Sequence, residues 1–239
     1  MEKIQEFEQM VRESRRVVFF GGAGVSTESG IPDFRSENGL FNRKYDDPPE
    51  TILSHEFLFS HPSKFYKFYR EQLLCPQAQP NACHRKLAEM EKKGLLLSVI
   101  TQNIDGLHQA AESRRVWELH GSVKRNHCVR CGRFYKAEEL PKYEDYPKCA
   151  CGGMIRPDVV MYGEALDEEV LDGAIEDLQR ADLLIIAGTS LRVYPAAGLI
   201  RYFGGNKSVV INKTSTPADE DCSLVLKAPV GQVFERLKI

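Results

Sequence analysis

The sequence predicts an α/β fold: a doubly wound parallel sheet that carries a smaller inserted domain. Three observations predict it. Short apolar, β-branched runs alternate along the chain with stretches of helical period, the order that lays strands side by side in parallel. Several of those runs are apolar at every position, as strands covered by helices on both faces must be. Two stretches, residues 33–79 and 122–156, break the alternation. A chain of 239 residues can bury one sizeable core, or one core with a small satellite.

Taken in order, the first residues (MEKIQEFEQMVRESRR) set Ile4, Phe7 and Val11 on one face of an amphipathic helix, and without an apolar stretch after a basic one they do not read as a secretory signal. Residues 16–20 (RVVFF) form a buried strand running straight into glycines. A helix over 80–93 shares Cys83, Leu87 and Met90 on one face and stops at Gly94, a residue type suited to a left-handed C-cap. Residues 96–101 and 116–119 make a second and a third strand, the latter ending at His120-Gly121. Asp167 caps a helix to Arg180 whose buried stripe is Val170, Leu171, Ala174, Ile175 and Leu178. Strands over 183–187, 207–211 and 223–226 follow, and a helix over 230–238 closes the chain. The pattern is Rossmann-like, with functional residues expected at the carboxyl ends of the strands. The large domain is expected to take residues 1–32, 79–121 and 157–239. The small domain takes 33–78, rich in aromatics, proline and charge, and 122–156, which holds four cysteines.

Composition narrows the function classes. Hydrophobic residues make up 42% of the chain and charged residues 28%, with a net charge of −2. There is no basic field for nucleic acid, no polybasic tract for a membrane surface and no run long enough to span a bilayer. Neither nucleic acid nor membrane is expected as a partner, and the cytoplasm is the expected location. Seven cysteines, an odd number in a chain of this length, argue against a disulfide framework. The clustering of Cys128, Cys131, Cys149 and Cys151 points instead to a metal in a reducing compartment.

The most informative local segment is GGAGVSTESGIPDFR, from Gly21 to Arg35, directly after the first strand. Glycines let a backbone turn sharply and approach a ligand closely, and Val25-Ser26-Thr27 can open a helix whose free N–H groups meet a phosphate. A tight turn with no ligand would use the same glycines. A dehydrogenase fingerprint also wants an acid at the end of the second strand about 20 residues on, and here Asp46 and Asp47 lie in a proline-flanked loop. No lysine stands in the P-loop position, which excludes a P-loop NTPase.

The run GAGVS…SGIPDFR resembles the signature of the sirtuin family, the NAD-dependent protein-lysine deacylases. Further motifs agree in order: Thr101-Gln102-Asn103-Ile104-Asp105, Leu119-His120-Gly121, the cysteine module, Arg156-Pro157-Asp158-Val159-Val160 with Gly163-Glu164, Gly188-Thr189-Ser190 and Ile211-Asn212. The likeness covers essentially the whole chain. It implies that the acyl oxygen of a modified lysine displaces nicotinamide from NAD, and that free lysine and O-acetyl-ADP-ribose are released. No enzyme nucleophile is needed, in keeping with the absence of G-x-S-x-G and HExxH motifs.

By resemblance, His120 is the general base on a hydroxyl of the nicotinamide ribose, a task suited to an imidazole. A lone histidine at a strand end would otherwise be a packed or surface residue. Gln102 and Asn103 map near the ribose and nicotinamide, with Asn103 also catalytic, and the Ile104 backbone and Asp105 carboxylate map to the carboxamide. Read without the family, Asn103 to Asp105 is an Asx-rich turn capping a short helix from about Ile104. Ala23 and Thr27 map to the pyrophosphate, Phe34 and Arg35 to a mobile loop over the reacting ribose, Thr189, Ser190 and Asn212 to the phosphate and adenosine ribose, and Val230 to adenine. Val159, Val160, Met161 and Tyr162 resemble the strand beside the acyl-lysine tunnel, or are ordinary core. Acetylated protein or peptide substrates would add as a strand between Gly163-Glu164 and Arg192–Tyr194, and the enzyme is expected to act as a monomer.

Cys128-x-x-Cys131 and Cys149-x-Cys151 offer four thiolates from two tight turns, a donor set that zinc favours in a tetrahedron. Four cysteines leave no open position, so the zinc is structural and the module reads as a zinc ribbon beside the helical one. The second pair departs from the family's common Cys-x-x-Cys. Cys75, Cys83 and Cys222 stand apart from it. A family subclass reads acidic acyl groups with a tyrosine and an arginine three residues apart. Here, in a helix expected over 65–74, Tyr69 is followed three residues on by Gln72, so acetyl or neutral longer acyl groups are expected over succinyl. Mono-ADP-ribosyl transfer from the same site and an NAD-sensing module are the competing readings. Ser36 replaces a glycine common in the family after Asp-Phe-Arg.

Overall fold

A computed structural model describes residues 2–36, 39–141 and 145–239. The elements run α1 (Glu2–Glu13), β1 (Val17–Gly21), α2 (Pro49–Ile52), α3 (His55–Ser60), α4 (Pro62–Phe68), α5 (Ala82–Lys92), β2 (Leu96–Thr101), α6 (Leu107–Ala110), β3 (Val116–Glu118), β4 (Gly121–Cys128), β5 (Phe134–Lys136), β6 (Ile155–Val159), α7 (Glu168–Arg180), β7 (Leu183–Ala187), β8 (Lys207–Ile211), β9 (Leu224–Leu226) and α8 (Val230–Arg236).

Six strands form one sheet in the order β3-β2-β1-β7-β8-β9, with every neighbouring pair parallel. The chain fills the sheet outward from β1 in one direction, then from β7 in the other, so β1 and β7 flank the switch point where such folds open a ligand crevice. Alternating residues of β1 explain the two cores. Val17 and Phe19 pack with α1, α5 and α8 on one face, and Val18 and Phe20 with α7 on the other. Asp167 caps α7, accepting from Val170 N at 3.0 Å, and Gly94 ends the turn after α5 at φ +74°. No helix among the described residues is long and apolar enough to cross a membrane.

A second, antiparallel sheet has the order β5-β4-β6. It takes in Gly121 and residues 157–159, on either side of the stretch 122–156. Against it packs the helical module, whose aromatics Phe57, Phe65, Tyr66, Phe68 and Tyr69 share a core with Val123, Val159 and Met161. One backbone ladder joins the helical module to the segment after β6: Tyr162 N donates to Leu53 O and His55 N donates to Tyr162 O, both at 2.9 Å.

Three local expectations change. Val25-Ser26-Thr27 opens no α-helix. Two 3-10 turns, Ala23–Val25 and Thr27–Ser29, stand there instead, because Val25 O is taken by the Asn81 side chain and Gly30 turns away at φ +85°. The helix expected over 65–74 is α4 continued by a π-helical turn at Tyr69–Leu73. The helix near Ile104 starts at Leu107, since Gly106 at φ +74° interposes a left-handed residue.

Candidate functional site

The crevice is built by two loops laid backbone against backbone. Gly22 N donates to Ala187 O at 3.1 Å and Gly24 N to Gly188 O at 2.8 Å. A Cβ on Gly24 would stand 2.8 Å from Gly188 Cα, and one on Gly188 would stand 2.4 Å from Val25 N. Such contacts admit no side chain, so these glycines are required first by the fit of one loop on the other. Gly188 N in turn donates to Ile211 O at 3.0 Å, which sets Asn212 beside the same crevice.

Ser26 is the centre of the β1–β2 side. It is fully buried, its hydroxyl donates to Asp105 Oδ2 at 2.6 Å, and Asn103 Nδ2 donates to it at 3.0 Å. Asp105 Oδ1 accepts from Leu107 N at 2.9 Å, so the carboxylate also caps α6. Asn103 N is held by Thr101 Oγ1 at 3.0 Å, and Thr27 Oγ1 donates to Gly24 O at 3.0 Å. In the sequence Ser26 shows only as part of a helix start, and its central place emerges from the structure. The signal was a small hydroxyl in the glycine turn of a chain with two polar residues at the neighbouring strand end.

His120 follows β3, half-buried. Its Nδ1 lies 3.0 Å from the Gln102 carbonyl oxygen, which can only accept, so the proton sits on Nδ1 and Nε2 is the basic nitrogen. Burial lowers its pKa below the ordinary value of 6.5, and the Gln102 carbonyl offsets part of that shift. The imidazole is therefore kept neutral, as a base must be. Gln102 Nε2 reaches across the switch point to Thr189 Oγ1 at 3.0 Å, joining the β2 and β7 loops. Two residues on, buried Leu191 adopts φ +53°, a strained conformation for leucine held by its N–H donating to Thr189 Oγ1 at 3.2 Å.

The remaining candidates ring this centre. Ala23 and Thr27 lie on the β1 loop, half-buried, and Ser190 on the β7 loop. Asn212 Nδ2 donates to Thr214 O at 3.0 Å. Val230, buried, opens α8, whose Gly231 N donates to Glu28 Oε2 at 2.5 Å and so ties α8 to the glycine turn. Phe34 and Ile104 both pack on the apolar core of the helical module. Arg35 is exposed and lies over the Phe41 ring, and Phe34 meets Phe41 edge-on at 5.4 Å. Ser36 N donates to Asp33 Oδ1 at 2.8 Å, and Ser36 is not among the positive-φ residues, so a serine there carries no backbone strain. The Gln72 position is not without a guanidinium: its Oε1 accepts from Arg43 Nη1 at 3.0 Å and Tyr45 OH at 3.3 Å.

Val160 N donates to His120 O at 3.0 Å, so the segment after β6 starts at the histidine. Arg156 grips Glu164 with Nη1 at 2.6 Å and Nη2 at 2.9 Å, while Met161 N and His55 Nδ1 reach the same carboxylate at 2.9 and 2.7 Å. Burial alone would raise the pKa of Glu164, yet these partners, Arg156 first, hold it at about 2. Tyr162, Gly163, Arg192 and Tyr194 are exposed on the two banks.

The four cysteines converge. All Sγ atoms lie within 4.8 Å of one another, with Cys128–Cys151 at 3.5 Å and Cys131–Cys149 at 3.6 Å. A tetrahedral zinc with sulfur at its usual distance has S–S edges of about 3.8 Å, so the set fits a closed thiolate site. The one-residue spacer of Cys149-x-Cys151 is accommodated by Gly152 at φ +84° and by Gly153, where a Cβ would stand 2.7 Å from Cys128 Sγ.

Strand-end hydroxyls, amides and one neutral imidazole around a parallel-sheet switch point define a nucleotide-cleft α/β protein with a separate thiolate metal module. The Sir2 family model matches residues 22–195, and the chain belongs to that family. It is 52% identical to an NAD-dependent protein deacetylase of Clostridium acetobutylicum over 98% of each chain. A Sir2 structure with a deacetylated p53 peptide and 3′-O-acetyl-ADP-ribose superposes with a TM-score of 0.89 at 43% identity, covering 98% of this chain and 96% of the other. A Sir2 complex with a p53 peptide and NAD superposes at 0.87 and 42% identity, covering 98% and 96%.

Proposed function

We propose that this chain is an NAD-dependent protein-lysine deacetylase that releases nicotinamide, free lysine and O-acetyl-ADP-ribose. The observation that carries the reading is the His120 tautomer: a half-buried, neutral imidazole at a strand end, with Nδ1 fixed on a backbone carbonyl and Nε2 left as a base. The donor set fits NAD, which supplies a ribose carbon with a good leaving group. Thr189, Ser190 and Asn212 hold the phosphate and adenosine ribose, Ala23 and Thr27 the pyrophosphate, and Val230 the adenine. Gln102, Asn103, the Ile104 backbone and Asp105 orient the nicotinamide end, and a group fixed by Ser26 costs little further ordering when the ligand arrives. Phe34 and Arg35 cover the ribose. Cys128, Cys131, Cys149 and Cys151 hold one structural zinc. In this reading the large domain, residues 1–32, 79–121 and 157–239, carries the nucleotide, and the small domain closes the acyl side.

The substrate is an acetylated lysine in an extended peptide, added as a strand between the exposed banks at Gly163-Glu164 and Arg192–Tyr194. The protein acts as a monomer in the cytoplasm. Gln72 in place of an arginine three residues after Tyr69 favours neutral acyl groups, the Arg43 guanidinium being engaged on the Gln72 side chain. Acetyl-peptide should turn over faster than succinyl-peptide, and equal rates would refute that preference. The deciding experiment gives a defined acetyl-lysine peptide to wild type and His120→Ala, with and without NAD. Nicotinamide release should require NAD and vanish in the variant; unchanged release would refute the assigned base. Product mass separates deacetylation from ADP-ribosyl transfer.

A further inference from the structure

Beneath the crevice, between α5 and α6, two histidines are completely enclosed. His84 is 0% and His108 1% exposed, with ring centroids 4.7 Å apart at 57°. Asn81 N donates to His84 Nδ1 at 3.2 Å. A backbone N–H can only donate, so that nitrogen carries no proton and neutral His84 is protonated on Nε2. Among the described residues, His84 Nε2, both ring nitrogens of His108 and Ser113 Oγ are buried without a protein partner. Ser113 belongs to the turn that follows α6, its N–H donating to His108 O at 3.0 Å. Three orphaned ring nitrogens on two imidazoles in contact are unusual, because buried polar atoms are almost always satisfied. Ionisation is not the remedy: burial pulls His84 down to about 4 against the attraction of Asp105, and pulls His108 well below its ordinary value, helped by His84.

We propose that His84 and His108 bind one internal water, which accepts from His84 Nε2–H and donates to the unprotonated nitrogen of His108, with Ser113 Oγ as its further partner, and that His108 is thereby a positioning residue for Asp105. Three polar partners are what an ordered buried water needs. The position matters because it closes a circuit of contacts. Asn81, which precedes α5, donates through Nδ2 to Val25 O at 2.7 Å and to Ser29 Oγ at 2.9 Å, on the glycine turn. His108 sits on α6, whose first N–H is held by Asp105, and Asp105 returns to the glycine turn through Ser26. α6 has four residues, so its placement depends on its buried side chains, and His108 is the polar one, its ring centroid 6.0 Å from that of Phe19 of β1. The hydrated imidazole pair links the two halves of the nicotinamide side from below.

The role assigned to Asp105 rests on the proposed function, and the test separates the two. In protein labelled with 15N-histidine, His84 should show the Nε2–H tautomer, a slowly exchanging ring proton and a cross-peak to a long-lived water. A proton on Nδ1, or no such water, overturns the site, and this arm is independent of activity. In the enzyme assay, His108→Phe removes the water's acceptor. It should raise the KM for NAD and the inhibition constant of nicotinamide by about tenfold, the scale of one buried hydrogen bond. The KM for acetyl-peptide should stay within about twofold, and His108→Gln should recover most of the loss. Unchanged NAD and nicotinamide constants, or a rise in the peptide KM equal to that for NAD, would overturn the positioning role. Wild-type protein that releases no nicotinamide would count against the functional reading, while the NMR arm still decides the water site.

Discussion

Replacing Ser26 with alanine removes a single oxygen that has no exposure to solvent, and it should cost far more than a serine at a turn ordinarily would. That oxygen donates to Asp105 Oδ2 at 2.6 Å and accepts from Asn103 Nδ2 at 3.0 Å. A hydrogen bond to a charged acceptor is worth about 1.5–3 kcal/mol, and the Asn103 amide left behind is buried. The Leu107 N–H bond keeps Asp105 in place at one oxygen, so the carboxylate swivels rather than leaves. If that energy is expressed wholly in orienting the nicotinamide end of NAD, kcat/KM for NAD falls by roughly 10- to 150-fold at 1.36 kcal/mol per tenfold. The assay is nicotinamide release at varied NAD with saturating acetyl-peptide, on protein whose melting temperature is measured alongside. Asp105→Asn and the double variant complete a cycle, in which the coupling should exceed about 0.5 kcal/mol. A kcat/KM within about threefold of wild type, or effects that simply add, would refute the argument that Ser26 transmits order to Asp105.

Other consequences can be measured directly. Because burial lowers the His120 pKa, its base form persists into mildly acidic solution; kcat/KM should rise with pH to a midpoint below 6.5 and then level, and an acid limb centred above 7 would contradict it. Asp177 is fully buried and receives Arg115 through two bonds at 2.8 Å and Trp117 Nε1 at 2.7 Å. Asp177→Ala should cost about 3 kcal/mol in urea unfolding, near the low end for breaking a buried pair because Arg115 can turn to solvent, and a loss under about 1 kcal/mol would show the clamp to be idle. Purified protein should carry one zinc per chain, and stripping it with a strong chelator should lower the melting temperature and loosen β4–β6; metal-free protein melting unchanged would remove the structural role.

How much of this could be read from the chain depended on the range of the interaction. The parallel sheet announced itself, since strands apolar at every position, such as Leu183–Ala187, have only one environment that suits them. The cysteine site was equally plain because its ligand spacing is local. The glycines of the first turn suggest ligand approach, whereas their tightest constraint is the β7 loop, more than 160 residues away in sequence. Val25–Thr27 has the pattern of a helix start, and nothing local reveals that Asn81 takes the Val25 carbonyl. Ser26 is inconspicuous for the same reason: its partners, Asn103 and Asp105, become neighbours only when β2 is laid beside β1. The spacing around Gln72 describes only its own helix, and Arg43, which reaches it from another segment, lies outside any spacing rule.

The Glu164 carboxylate has a bearing on how the chain reaches this state. It joins Arg156, eight residues upstream, to His55, separated from it by 109 positions. Between those two insertions the chain encodes β2 and β3, so the helical module must wait for its other half until that part of the main sheet has been synthesised. Closure over such a span is set by the entropy of a long loop. The acyl side of the crevice is therefore expected to stay loose until both halves are made, and the nucleotide side, where Gly24 meets Gly188 across a still longer stretch of chain, to close after it.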